Sequence, residues 1–273
     1  MLKRLGFALA LCGSSAAAQS LELVSAITMP DPFGTFGGLS AIELSQDGLT
    51  GLVLSDRGSI FNLTLERDDT GTLRKATPHP APLPGYPRDT EGLAIGPTGR
   101  FVSFEGPGRV HRLWGKSLPV HADFNTFQPN AALEALAIDE GGTLYTLPER
   151  SGHPDRPFPL YALNNGEWMI VARIPRVGPF LAVGADFGPD GLFYLLERTF
   201  TPLGFRSRIR RFDLSDASQP AVTLMRSFPG QHGNLEGISL WSDPQGNTRV
   251  TMVADDNFLA ALPNEIVEYV LRP

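Results

Sequence analysis

The sequence predicts an all-β fold: a single β-propeller of five four-stranded blades, with six possible if a long connection hides one. Three observations point there. A motif of two short apolar strands joined by a glycine-containing turn recurs five times. Aligned on the turns, the copies start near Ser40, Glu91, Glu134, Val183 and Glu236, at spacings of 51, 43, 49 and 53 residues. That period suits a propeller blade of roughly 40–50 residues rather than a shorter solenoid repeat. No segment of useful length carries helical periodicity.

The chain opens on a different pattern. Lys3 and Arg4, the apolar run Leu5 to Cys12, and Ala16 to Ala18 read as a signal peptide over residues 1–18, leaving residues 19–273 as one domain. Leu11 stands where a lipoprotein signal needs a small residue before Cys12. Cleavage removes the only cysteine, so no disulfide is expected. Losing Lys3 and Arg4 moves the formal net charge from −6 to −8. An acidic protein of this kind is a poor partner for nucleic acid or anionic membranes. No later run is long and apolar enough for an integral membrane segment. The expected location is periplasmic or secreted.

The first copy reads GLSAIELSQDGLTGLVLSDRG (38–58), and the second TEGLAIGPTGRFVSFEG (90–106). The third reads LEALAIDEGGTLYTLPER (133–150) and the fourth GADFGPDGLFYLLER (184–198). The fifth is LEGISLWSDPQGNTRVTMVADD (235–256). Weaker third and fourth strands follow, at 59–66, 109–114, 159–163 with 168–174, and 208–214 with 221–228. The run 131–137 is helical by composition, but alignment makes 134–138 an innermost strand, and propensity is the weaker guide. The last copy lacks a fourth strand before Pro273, while 21–29 is an unpaired strand. Pairing the two closes the ring and leaves no open edge.

In a propeller the innermost strand lines the central channel and the second returns antiparallel, so first-strand starts and second-strand ends share one face. Acids recur at both. Glu91, Glu134 and Glu236 begin first strands. Asp56, Glu105, Glu149, Glu197 and the pair Asp255–Asp256 end second strands. Like charges at one mouth need a counter-charge. Arg57, Arg150 and Arg198 each follow an acid, and a divalent cation with oxygen ligands, Ca²⁺ or Mg²⁺, is the other solution. The bland alternative is that each acid only caps backbone amides of a neighbouring blade. Ser40 and Val183 interrupt the acidic set, so the ring is asymmetric. His232 and Asn234 precede Glu236, Asn257 follows Asp256, and His153 and Asp155 sit in a proline-rich loop. No nucleophile elbow, H-E-x-x-H, P-loop or dinucleotide fingerprint occurs, which argues against serine-hydrolase, zinc-protease and nucleotide-driven chemistry.

The order of motifs resembles the phytase-like domain family described by the esterase-like activity of phytase. It is carried by GGLSAI with SDRG, DTEGLAI with FEG, LEALAID with LPER, DFGPDGLFYLLER, and NLEGISLW with ADDN. The resemblance spans nearly all of the domain and implies an exported hydrolase of phosphoesters or carboxylic esters. The expected mechanism is metal-assisted, with Glu91, Glu134 and Glu236 catalytic and Glu91, Glu105, Glu236 and Asp255 holding a divalent cation, Ca²⁺ by preference. Arg57, Arg150, Arg198 and His232 would bind a small anionic or ester substrate. The alternatives are a binding or scaffold propeller with a structural cation, and lactonase-like chemistry, whose asparagine ligands are sparse here.

Overall fold

The computed structural model describes residues 19–81, 86, 89–128, 131–216, 218–259 and 262–273. The expected signal peptide, with Cys12, lies outside them. Strand β1 (Ser20–Thr28) comes first. Blade one holds β2 (Leu39–Leu44), β3 (Thr50–Ser55), β4 (Ile60–Arg67) and β5 (Leu73–Pro80). Blade two holds β6 (Thr90–Gly96), β7 (Gly99–Phe104) and β8 (Arg109–Arg112). Blade three holds β9 (Ala135–Ile138), β10 (Leu144–Leu147), β11 (Phe158–Asn164) and β12 (Glu167–Ile174). Blade four holds β13 (Leu181–Phe187), β14 (Phe193–Thr201), β15 (Gly204–Phe212) and β16 (Val222–Arg226). Blade five holds β17 (Asn234–Ser242), β18 (Thr248–Asp255) and β19 (Glu265–Arg272).

Five antiparallel sheets result, so the six-blade option falls. Blade two is the exception to four strands: its sheet has three, and a bridge between His111 and Ser117 stands where a fourth would pair. A short 3₁₀ turn, Ala122–Asn125, then leads to blade three. The fifth sheet runs β1-β19-β18-β17, with Ser20 opposite Arg272 and Thr28 opposite Glu265. The first strand therefore closes the last blade, as the pattern predicts. The innermost strands β2, β6, β9, β13 and β17 each touch the next, and β17 returns to β2.

The two inner strands of each blade read as nearly continuous apolar runs because both faces of the sheet are buried between blades there, whereas outer strands such as β5 and β12 are largely exposed. Leu52 and Leu54 pack toward blade two while Val53 packs toward blade five. Phe193 and Leu195 pack toward blade three, and Tyr194 and Leu196 toward blade five. Met252 and Ala254 face blade four, whereas Val253 faces blade one. Around the channel the backbones crowd. A Cβ on Gly184 would stand 2.3 Å from the Glu236 carbonyl oxygen, and one on Gly237 2.8 Å from Ala41 Cα, so only glycine fits.

Candidate functional site

The inner strands share a local defect. Their pairing slips at Ser40 in β2, at Glu91–Gly92 in β6, at Val183 in β13 and at Glu236 in β17. A bulge re-aims a side chain that regular pleating would place between blades. Glu134 sits just before β9 at the same level. The aligned first-strand positions are therefore equivalent in space as well as in sequence.

Second-strand ends obey strand parity. Asp56, Glu105, Glu149 and Asp255 continue the rows that face the following blade, the rows of Leu54, Ser103, Leu147 and Val253. In blade four the corresponding row is Tyr194, Leu196 and then Arg198, not Glu197. Glu197 points the other way. It is fully buried and held by two arginines, with Arg208 Nε and Nη2 and Arg210 Nε and Nη2 all donating at 2.7–2.8 Å. This acid, expected at the mouth, belongs instead to a buried ion-pair triad beside blade three.

Arg198 takes the vacant ring position and meets the acids. Its Nη2 lies 2.9 Å from Glu236 Oε1 and 3.5 Å from Glu149 Oε1. Asn234 donates to Glu236 at 2.8 Å and to Asp255 at 3.4 Å. Opposite, single carboxylate oxygens of Glu91, Glu105 and Glu134 lie within 4.8 Å of one another. Glu91, Glu134, Glu149, Glu236 and Asp255 are buried and Glu105 half-buried. Three hard oxygen donors at that separation can share one ion at the 2.3–2.6 Å typical of Ca²⁺.

Burial and mutual repulsion make Glu91, Glu105, Glu134, Glu236 and Asp255 reluctant to ionise. Burial, then the carboxylates of Glu236, Glu105, Asp56 and Asp255, holds Glu91 well above the usual range. Burial, then Glu91, Glu236 and Glu149, does the same to Glu134. At Glu105 burial also raises the pKa, opposed by its interaction with Glu134. Burial pushes Glu236 to about 8 despite the pull of Arg198, and Asp255 to about 6. Burial alone would lower the Arg198 pKa, but Glu236, Glu134, Glu149 and Asp255 outweigh it and hold the guanidinium charged. Two polar atoms in the group are buried without a hydrogen-bond partner among the described residues: Arg198 Nε and Asn234 Oδ1.

The remaining expected residues divide. Arg150 is exposed, donates to Glu149 at 3.0 Å, and continues into a cleft of about 300 Å³ shared with Arg156, Arg173, Phe127 and Tyr161. Arg57 lies at the rim, its guanidinium 3.2 Å from the centre of the Phe258 ring. His232 does not join the acids. It is buried, with Nε2 2.7 Å from the Tyr269 hydroxyl and Nδ1 3.4 Å from Glu265. Asp256 clamps a loop, accepting from the amides of Gly38 and Phe258. Asn234, named beside Glu236 in the sequence, joins the acids through its bonds to two of them, whereas Glu43 and Asp186 escape the sequence reading. Glu43 and Asp186 lie further along the inner strands, where they accept from the amides of Ile95 and of Leu240 and strap neighbouring blades.

Among solved structures, similarity extends over 94% of this chain and 98% of an α-L-arabinofuranosidase from Podospora anserina crystallised with cellotriose, at 12% identity and a TM-score of 0.53. The WD40 repeats of RRP9 align over 93% of this chain and 100% of theirs, at 9% identity and a TM-score of 0.42. At such identities the first likeness speaks for the propeller fold alone. No match was found among curated proteins. The family described as phytase-like, with esterase-like activity of phytase, matches residues 34–258, from the loop before β2 to the loop after β18. This chain, with its five blades and bulged inner strands, belongs to that family.

Proposed function

We propose that the channel mouth is the active site of an exported, metal-assisted hydrolase of phosphoesters or carboxylic esters. The observation that carries the reading is the meeting of Glu91, Glu105 and Glu134 oxygens within 4.8 Å, beside the half-buried guanidinium of Arg198. Hard oxygen donors suit Ca²⁺, and Glu236 and Asp255 across the mouth complete the acidic surround. When bound there, a divalent cation would polarise the ester and make water a better nucleophile. Export rests on the Lys3–Ala18 pattern.

The chain's own groups have separable tasks. Glu91 and Glu105 would hold the cation. Glu236, through its 2.9 Å ion pair, fixes the Arg198 guanidinium in place. The part of the Arg198 guanidinium that remains exposed can then donate to an anionic ester oxygen, a bond strengthened because the donor is charged. Burial and its acidic neighbours raise the pKa of Glu134, which suits its carboxyl to pass a proton to the leaving oxygen. Arg150 extends the positive surface outward for the rest of an anionic substrate.

The test starts from EDTA-treated protein. Calorimetry with Ca²⁺, then a screen of phosphomonoesters, carboxylic esters and lactones with and without EDTA, should show cation binding and EDTA-sensitive turnover. Glu91→Gln should lose both. Cation binding with no turnover of any substrate would replace the enzyme by a binding propeller, and full activity in Glu91→Gln and Glu236→Gln would move the site elsewhere.

A further inference from the structure

Resting on that hydrolase reading, we infer that the ester taken at the channel mouth carries a hydrocarbon arm, which lodges in a recess between blades four and five. Three segments on the mouth face build the recess. They are the β14–β15 hairpin, the β16–β17 link, and the residues just before β19. The Gly230 amide donates to the Phe205 carbonyl at 2.8 Å, and a Cβ on Gly204 would stand only 3.0 Å from Gly230 Cα. With no side chains between these backbones, a space of about 240 Å³ remains, walled by Phe205, Leu262 and Pro263. Its polar groups already have partners: Glu265 accepts from the Gly233 amide at 3.0 Å, and His232 meets Tyr269 at 2.7 Å. Nothing there calls for a polar ligand.

The recess adjoins the proposed site. The guanidinium carbon of Arg198 lies 6.0 Å from the Phe205 ring centre, so one residue borders both the acids and the apolar space. Around it stand Phe200, Leu203 and Phe228, exposed by 69%, 78% and 78%. Phe200 packs edge-on against Phe205 at 5.1 Å. Single exposed apolar side chains are ordinary, but three around one recess mark a binding surface. The volume is below the roughly 300–1,000 Å³ that encloses a whole drug-sized ligand, so the recess takes one arm. The opposite side of the mouth carries Arg150, Arg156 and Arg173. This polarity orients the ester, with its charged end toward the arginines and its hydrocarbon arm toward Phe205.

A homologous series separates this from the hydrolase reading. Calcium-loaded full-length protein is assayed with methyl to octyl phosphates and with 4-nitrophenyl acetate to octanoate, and octyl and methyl phosphate binding is measured by calorimetry. The expected kcat/KM rises about fourfold for each of the first few methylenes. In a Leu203→Ser, Phe228→Ser double variant the octyl-to-methyl ratio falls toward one. Both residues are exposed, so folding is retained. A flat series with turnover overturns the inference and leaves the hydrolase reading intact. Tighter binding of octyl than methyl phosphate, lost in the variant but without turnover of any homologue, supports the recess and removes the hydrolase reading. Binding to phosphatidylcholine vesicles, or dimerisation, that the variant abolishes while the series stays flat assigns the patch to a surface or a second copy and overturns the inference.

Discussion

Arg198→Met should destabilise the protein in a pH-dependent way. In the wild type the Arg198–Glu236 contact is 2.9 Å with side chains 22% and 8% exposed. At an effective permittivity near 20 the attraction between full charges is about 6 kcal/mol before desolvation and partial exposure reduce it. Breaking a buried pair by removing one member typically costs about 3–5 kcal/mol. That cost needs Glu236 to be ionised. Its folded pKa is about 8 against an ordinary 4.5, so protonation stabilises the fold fully below about pH 4.5 and is lost as pH rises to about 8. Without Arg198 the folded pKa rises further, and the variant keeps losing stability above pH 8, where the wild type has levelled. Urea unfolding in EDTA should give a small difference at pH 6 and one larger by up to about 1.4 kcal/mol at pH 9, one pH unit above the wild-type pKa of about 8. An equal difference at both pH values would refute the idea that Arg198 acts as the ring's counter-charge.

Deleting residues 20–28 removes the outer strand of blade five along its whole pairing with β19, and the melting temperature should fall by about 10 °C or more. An unchanged melting curve would contradict closure. Glu197→Gln should cost about 3–5 kcal/mol by stranding Arg208 and Arg210, yet leave kcat per folded molecule unaltered. A loss of kcat at unchanged stability would return Glu197 to the site. Glu134→Gln should raise apo stability at pH 8 by about 1 kcal/mol or more, because the amide cannot ionise where the carboxyl resists ionisation. Melting in EDTA that shows a loss instead would mean that Glu134 is already compensated.

The blade repeat was legible because burial on both sheet faces leaves apolar pairs of strands between glycine turns, and the turns conserve a geometry. Gly142 and Gly191 both hold positive φ, at 84° and 74°. The same turns contain the signal that corrects the fourth blade. Seven residues beyond Gly142 is Glu149, and seven beyond Gly191 is Arg198. Matching the letters of LPER to LLER shifts the fourth blade by one residue, and a shift of one moves a strand residue to the opposite face. The bulges at Glu91 and Glu236 were not legible, since pairing slips depend on how inner strands crowd the channel. The true place of His232, expected to bind substrate, was not legible because its partners, Tyr269 and Glu265, are more than thirty residues away in sequence.

The pairing of Ser20 with Arg272 also governs when the molecule can fold. Loop-closure entropy must be met before such a contact forms, and topologies dominated by distant pairings fold slowly. Here the outermost strand of the last blade is made long before its partner β19. Until β19 is made, blade five exposes an unpaired edge and the ring stays open. Closure of the propeller thus waits on two strands far apart in sequence: a ribosome-bound fragment ending before β19 has no route to the closed state.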